Sequence, residues 1–202
     1  RVLEKEIEDF YMSVNLEHFS DKVKEQPVFL ENKEYAAVID VVLFNRKELL
    51  IEYEISDDLS DEEVLFVLLC SQGMDVIKTV NGDFAGALYN KETKTVTLFR
   101  DHLGLRPVYY YYDHNSFLFA TDIRAILAYK ELHISIDEKQ IFAEATGVFY
   151  KYDDNTDYNE IHYLRKASYV DIKLSDDVIE ESKRTIYWQP GTKKIRMKND
   201  AA

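Results

Sequence analysis

Apolar positions along this chain recur with two different periods, and the switches between them mark the elements. Over residues 35–44 the run YAAVIDVVLF is β-branched and apolar, which predicts a strand buried on both faces and broken at Asn45. Ser60, with Glu63 three residues later, forms a capping box; Val64, Leu65, Leu68 and Leu69 then recur at helical spacing until Gly73 stops the helix. The runs FAGALYN, TVTLFR, RPVYYYYD and SFLFA follow, separated by the turn-like KETK and by tight connections holding Asp113 and Asn115. They predict two antiparallel hairpins. Thr121 is placed to cap a helix carrying Ile123, Ile126 and Leu127, and Asp137 with Gln140 repeats the capping box ahead of Ile141, Phe142 and Ala145. Strands over residues 169–174 and 179–187 close the pattern. In the Tyr109, Tyr110, Tyr111 and Tyr112 run, strand alternation puts two rings on each face, which predicts packing rather than a stacking platform.

This order predicts one α+β layered domain over residues 1–190, followed by a polar, basic, unpatterned linker or disordered tail over 191–202. With 46% apolar and 31% charged residues the chain has an ordinary globular balance. The formal charge of -13 argues against nucleic acid, whose binding needs clustered Lys and Arg. Apolar stretches such as residues 64–70 are far shorter than the roughly 20 residues that span a bilayer, so no membrane is expected. A lone cysteine, Cys70, excludes an internal disulfide and fits a reducing compartment, from which a cytoplasmic location is expected. It sits among Phe66, Leu68 and Leu69, which predicts a buried, unreactive thiol. His18, His102, His114, His133 and His162 show no ligand-like spacing, and no metal site is assigned. The chain opens on Arg1 and not on Met, so residues upstream are expected.

Residues 80–128, VNGDFAGALYNKETKTVTLFRDHLGLRPVYYYYDHNSFLFATDIRAILA, resemble the class II glutamine amidotransferase domain of asparagine synthetases. The matching positions are Asn81, Gly82, Phe84, Ala85, Arg100, Asp101, Gly104, Arg106, Pro107, Tyr109, Tyr110, Thr121 and Asp122. Outward, the likeness extends to Gln26 and Pro27, to Phe44, Asn45, Glu48 and Leu49, to Ser60, Asp61 and Glu63, and to Tyr187 and Trp188. It implies the four-layer αββα sandwich of the N-terminal-nucleophile hydrolases, with mostly antiparallel sheets. It also implies a partner in the same chain, a C-terminal adenylate-forming synthetase domain using ATP and Mg, and leaves a homodimer open.

Glutaminase chemistry of this class uses an N-terminal cysteine whose own amine is the base, and Arg1 cannot act so. The family's Asn-Gly-Glu run supplies oxyanion donors and a carboxylate for the substrate amine. Aligned through Phe44, Asn45 and Glu48, that run is Asp40, Val41 and Val42 here. A carboxylate repels a developing oxyanion where a carboxamide donates to it. The family's upstream arginine, which grips the substrate carboxylate, has no counterpart between Val2 and Asn45. Asp61 alone matches a family ligand, the aspartate on the substrate amine, although a helix dipole also favours an acid there. No catalytic residue is assigned within the chain.

The resemblance therefore implies a degenerate glutaminase domain, structural or substrate-gating, joined to an ATP-dependent amide ligase. Two alternatives stand beside it: an active glutamine-hydrolysing domain whose cysteine precedes Arg1, and a stand-alone interaction module.

Overall fold

The computed structural model describes residues 2–7, 10–15, 29–147, 154–175 and 178–191. The tail expected beyond Gly191, together with His18, Gln26 and Pro27, lies outside the described residues. In chain order the strands are β1 (Val2–Ile7), β2 (Phe10–Asn15), β3 (Leu30–Glu31), β4 (Tyr35–Leu43), β5 (Gly82–Asn90), β6 (Thr95–Arg100), β7 (Tyr109–Tyr112), β8 (Phe117–Ala120), β9 (Ile161–Tyr163), β10 (Ser168–Leu174) and β11 (Ile179–Ile186). The helices are α1 (Arg46–Glu52), α2 (Asp61–Gln72), α3 (Ile123–Leu127) and α4 (Glu138–Thr146), with a 3-10 turn over Met74–Lys78.

Among the described residues, β11-β10-β6-β5-β4-β3 form a six-stranded sheet, β8-β7-β9 a three-stranded one, and β1 and β2 a hairpin. All of these pairings are antiparallel. Side-chain alternation sorts each sheet into two faces, and three apolar clusters follow. Val64, Leu65, Leu68 and Leu69 of α2 pack on Ala37, Ile39, Val41 and Leu43 of β4 and on Phe84 and Leu88 of β5. The opposite face of the same sheet offers Ala36, Ala85, Ala87 and Leu98 to Val108 and Tyr110, filling the space between the sheets. Tyr111 then packs with Ile126 of α3 on the far side of the small sheet. Helices, large sheet, small sheet and helices make the four-layer αββα sandwich, and burial of these faces is its main source of stability.

The capping box at Ser60 is complete: Glu63 N–H donates to Ser60 Oγ at 3.2 Å and Ser60 N–H to Glu63 Oε2 at 2.7 Å. Both hairpins form, β5 with β6 and β7 with β8. The tyrosine run alternates as its spacing predicts, Tyr110 and Tyr112 facing the inter-sheet core, Tyr109 and Tyr111 facing α3.

Four expectations change. The cap of α3 is Asp122, not Thr121, because the Asp122 carboxylate accepts from Arg124 N–H at 2.9 Å and also pairs with the Arg124 guanidinium, which holds its pKa down to about 2. At α4 only half a capping box exists: Asp137 accepts from Lys139 and Gln140 N–H, but the Gln140 side chain turns to Glu144. Ile141 and Phe142 are exposed while Ala143 is buried, since nothing among the described residues packs over that face of α4. Finally, β4 is buried on both faces only in its first half, because the short strands of the small sheet do not reach Asp40 and Val42.

Candidate functional site

Three rows of side chains cross the inner face of the large sheet through β4, β5 and β6. Ala36, Tyr89 and Val96 form the first, Val38, Ala87 and Leu98 the second, and Asp40, Ala85 and Arg100 the third. The first two rows are apolar and covered by the small sheet; the third turns polar where that cover ends. The sequence expectation for the family's amide-cleaving centre, Asp40, Val41 and Val42, falls at this open end.

Asp40 is largely exposed there, and its Oδ2 forms an ion pair with Arg106 Nη1 at 3.1 Å. Val41 points the other way and is 2% exposed in the core beneath α2. Val42, on the same face as Asp40, is 44% exposed and lies opposite Asp83 of β5. The three positions therefore hold an ion-paired carboxylate, a core methyl pair and a solvent-facing methyl pair.

Asp61 begins α2. Its Oδ2 accepts from Leu43 N–H at 2.8 Å and its Oδ1 from Arg46 Nη1 at 2.9 Å, so each carboxylate oxygen already has a partner. Arg46 further donates to the Leu59 and Asp57 carbonyls at 2.5 and 3.1 Å, pinning the loop between α1 and α2. Asn45 ties the end of β4 to the start of β5, accepting from Asn81 N–H at 2.8 Å and donating to Thr79 O at 2.9 Å.

The Arg100–Asp101 pair is built into the frame. Asp101 is 1% exposed, and its carboxylate accepts from the N–H groups of Leu103, Gly104, Leu105 and Arg106. Arg100 donates to the carbonyls of Arg106, Leu164 and Gly104 and to Tyr163 Oη, with its guanidinium 4.3 Å from the Tyr163 ring centroid. Gly104 adopts φ +72, and a Cβ there would stand 2.9 Å from Lys166 Cβ, so the turn requires glycine twice over. Tyr187 closes the knot by donating to Arg100 O at 2.7 Å. His102 lies edge-on against Tyr187 and Trp188, at 5.1 and 5.3 Å, and burial lowers its pKa.

Sequence reasoning missed Glu62. Only 4% exposed, it has one carboxylate oxygen without a hydrogen-bond partner among the described residues. Burial raises its pKa, and the charges of Asp61 and Asp40 add to that rise. The signal was present: Glu62, Leu65, Phe66 and Leu69 share one helical stripe. Arg46, the first arginine after Arg1, directly follows Asn45 and carries no sequence signal of its pairing with Asp61.

Cys70 is half-buried rather than fully enclosed, accepts weakly from Asn32 Nδ2 at 3.5 Å, and has its thiol pushed up to about 11 by burial. It is far from nucleophilic at neutral pH. Among the described residues no group of three or more His, Cys, Asp or Glu is placed to hold a metal ion. No helix among them is long and apolar enough to cross a membrane.

Comparison with known proteins agrees with the fold and the motif. A model of the glutamine amidotransferase domain matches residues 18–188. A putative glutamine-hydrolyzing asparagine synthetase 2 of Methanocaldococcus jannaschii is 27% identical over 203 residues, covering 89% of this chain and 39% of that protein. The glutamine-hydrolyzing asparagine synthetase 3 of Bacillus subtilis is 32% identical over 128 residues, covering 57% and 21%. The chain thus spans well under half the length of either relative. Among solved structures, the glutamine phosphoribosylpyrophosphate amidotransferase of B. subtilis, complexed with ADP and GMP, superposes with TM-score 0.52 at 17% identity, covering 82% of this chain and 32% of that one. That likeness concerns the fold alone.

Proposed function

We propose that this chain, which belongs to the glutamine amidotransferase domain family, does not hydrolyse glutamine and serves as a structural or substrate-gating partner of an ATP-dependent amide-forming domain. The observation that carries this reading is the Asp40–Arg106 ion pair. Catalysis of amide cleavage needs preorganised donors aimed at the developing oxyanion, and losing one typically costs about 100-fold to 1000-fold in rate. At the position where the family resemblance puts such a donor, this chain has an acceptor. Arg106 does not make good the loss, because its guanidinium is paired with Asp40 and the pair is solvated, where its field is weak. Val42 removes the carboxylate that the family uses on the substrate amine. Both Asp61 oxygens are engaged by Leu43 and Arg46, so a substrate ammonium would have to compete with an arginine.

ATP and Mg belong, in this reading, to the C-terminal adenylate-forming domain of the same chain that the family resemblance implies. The whole protein would work in the cytoplasm.

A second reading has its own support: both sequence relatives carry names that specify glutamine hydrolysis, and Asp61 stands at the start of its helix as a family ligand would. A glutamine-analogue diazoketone separates the two. The full-length protein is expected to show no covalent adduct by intact mass, whereas a stoichiometric adduct on an upstream cysteine would establish the second reading.

A further inference from the structure

We propose that His162 works a proton-operated latch on the flank of the sandwich: while its imidazole is neutral, Arg184 bolts β11 of the large sheet to β7 and β9 of the small one, and proton uptake by His162 frees that flank. Among the described residues β9 and β11 are edge strands, and β10, β6 and β5 lie between β11 and Asp40 on β4. The device therefore does not depend on whether glutamine is cleaved. Arg184 stands opposite Val170 of β10, whose side chain belongs to the inter-sheet core, so it enters the gap from the large sheet. Tyr110 and its register partner His162 enter from the small sheet. The guanidinium donates from Nη2 to Tyr110 Oη at 2.7 Å, from Nη1 to Asp154 Oδ2 at 2.8 Å, and from Nε and Nη2 to Glu181 at 3.1 and 2.9 Å. Asp154 precedes β9, and its carbonyl accepts from Tyr163 N–H at 3.0 Å, so one cation holds the edges of both sheets.

Beside this bolt the half-buried His162 ring packs against Tyr110 and Tyr112, with centroids at 5.2 and 5.7 Å. The titratable and charged groups around it are Tyr110 and Tyr112 from β7, Glu181 and Arg184 from β11, and Asp154 from the segment ahead of β9. Burial lowers the His162 pKa from its ordinary 6.5, and the Arg184 charge lowers it further against the pull of Glu181 and Asp154. A proton thus binds more tightly once the strands part. The stability that the closed latch contributes is present above that ordinary value and is lost as pH falls through the folded-state value. Asp154 Oδ1 is buried without a hydrogen-bond partner among the described residues, so an imidazolium finds a free acceptor on the very carboxylate that Arg184 holds. Next along the chain, Tyr163 Oη and the Leu164 carbonyl accept from Arg100, which connects movement of β9 to the buried frame.

The test is amide hydrogen exchange of the full-length protein at pH 7.5 and pH 5.5, read by peptide mass as protection relative to the intrinsic rate. Peptides over residues 154–164 and 179–186 are expected to lose at least about threefold in protection at the lower pH, while residues 35–43 of the large sheet keep theirs. His162→Phe keeps a ring against the two tyrosines without a site for the proton, and His162→Gln removes both. In each variant the flank is expected to be protected equally at the two pH values. Asp154→Ala withdraws the bolt's carboxylate and is expected to lower flank protection already at pH 7.5. Unchanged flank protection in the parent between the two pH values overturns the latch. So does an equal loss over residues 35–43, which would mark loosening of the whole fold, and so does a pH-dependent loss that survives in both His162 variants.

Discussion

Asp40 and Arg100 stand in one row on the same face of the same sheet, but they belong to regions built on opposite terms. Around Arg100 and Asp101 the polar groups are buried and engaged: four backbone N–H groups reach one carboxylate, and one guanidinium donates to four oxygens. Around Asp40 and Val42 the strand is exposed, and a single solvated ion pair is its main polar contact. The first region carries most of the family resemblance; the second is where the family's chemistry would sit. Residues that the fold requires and residues that the reaction requires are physically separable, and the function proposed here keeps only the first set.

The sharpest way to break this contrast is to attack the frame. Asp101→Ala leaves the backbone N–H groups of residues 103–106 without their shared acceptor, and is expected to cost about 3–5 kcal/mol in urea unfolding. Loss of less than about 1 kcal/mol would mean that the knot is not the frame described. Glu62→Gln acts in the other direction. Burial raises the Glu62 carboxyl above its ordinary value of 4.5, so the folded state holds that proton to higher pH than the unfolded chain does. Its contribution to stability is intact below that ordinary value and is lost as pH rises through the folded-state value. The variant should therefore be more stable than the parent by about 1 kcal/mol at pH 8 and equal to it at pH 4; a gap that opens at low pH instead would contradict the burial.

Smaller effects follow nearer the surface. Ser60→Ala breaks the capping box of α2 and should lower stability by about 1 kcal/mol, measured by thermal unfolding. Asp40→Ala should change stability by less than about 1 kcal/mol, because an exposed pair is largely screened. A large loss there would erase the distinction between the two regions.

Much of this was legible in the sequence where local rules decide the outcome. The α2 boundaries follow from Ser60, Glu63 and Gly73, and the tyrosine faces from alternation alone. Where two local rules compete, the pattern misled: Thr121 and Asp122 are both good caps, and the Arg124 guanidinium decides for Asp122. The outer half of β4 read as core because Val41, Val42 and Leu43 are apolar, but how far the small sheet reaches is a property of the packed layers. The very short β3 and β9, with two and three residues, give no period to detect. At the site, the run Asp40, Val41 and Val42 was visible in the chain, whereas the pairing of Asp40 with Arg106 depends on a contact between distant segments.

Ammonia release from glutamine by the full-length protein is the measurement that bears most directly on the central claim. The expected rate equals that of buffer alone and is unchanged in Asp40→Ala. Steady release above that background, abolished by blocking a cysteine upstream of Arg1, would contradict it.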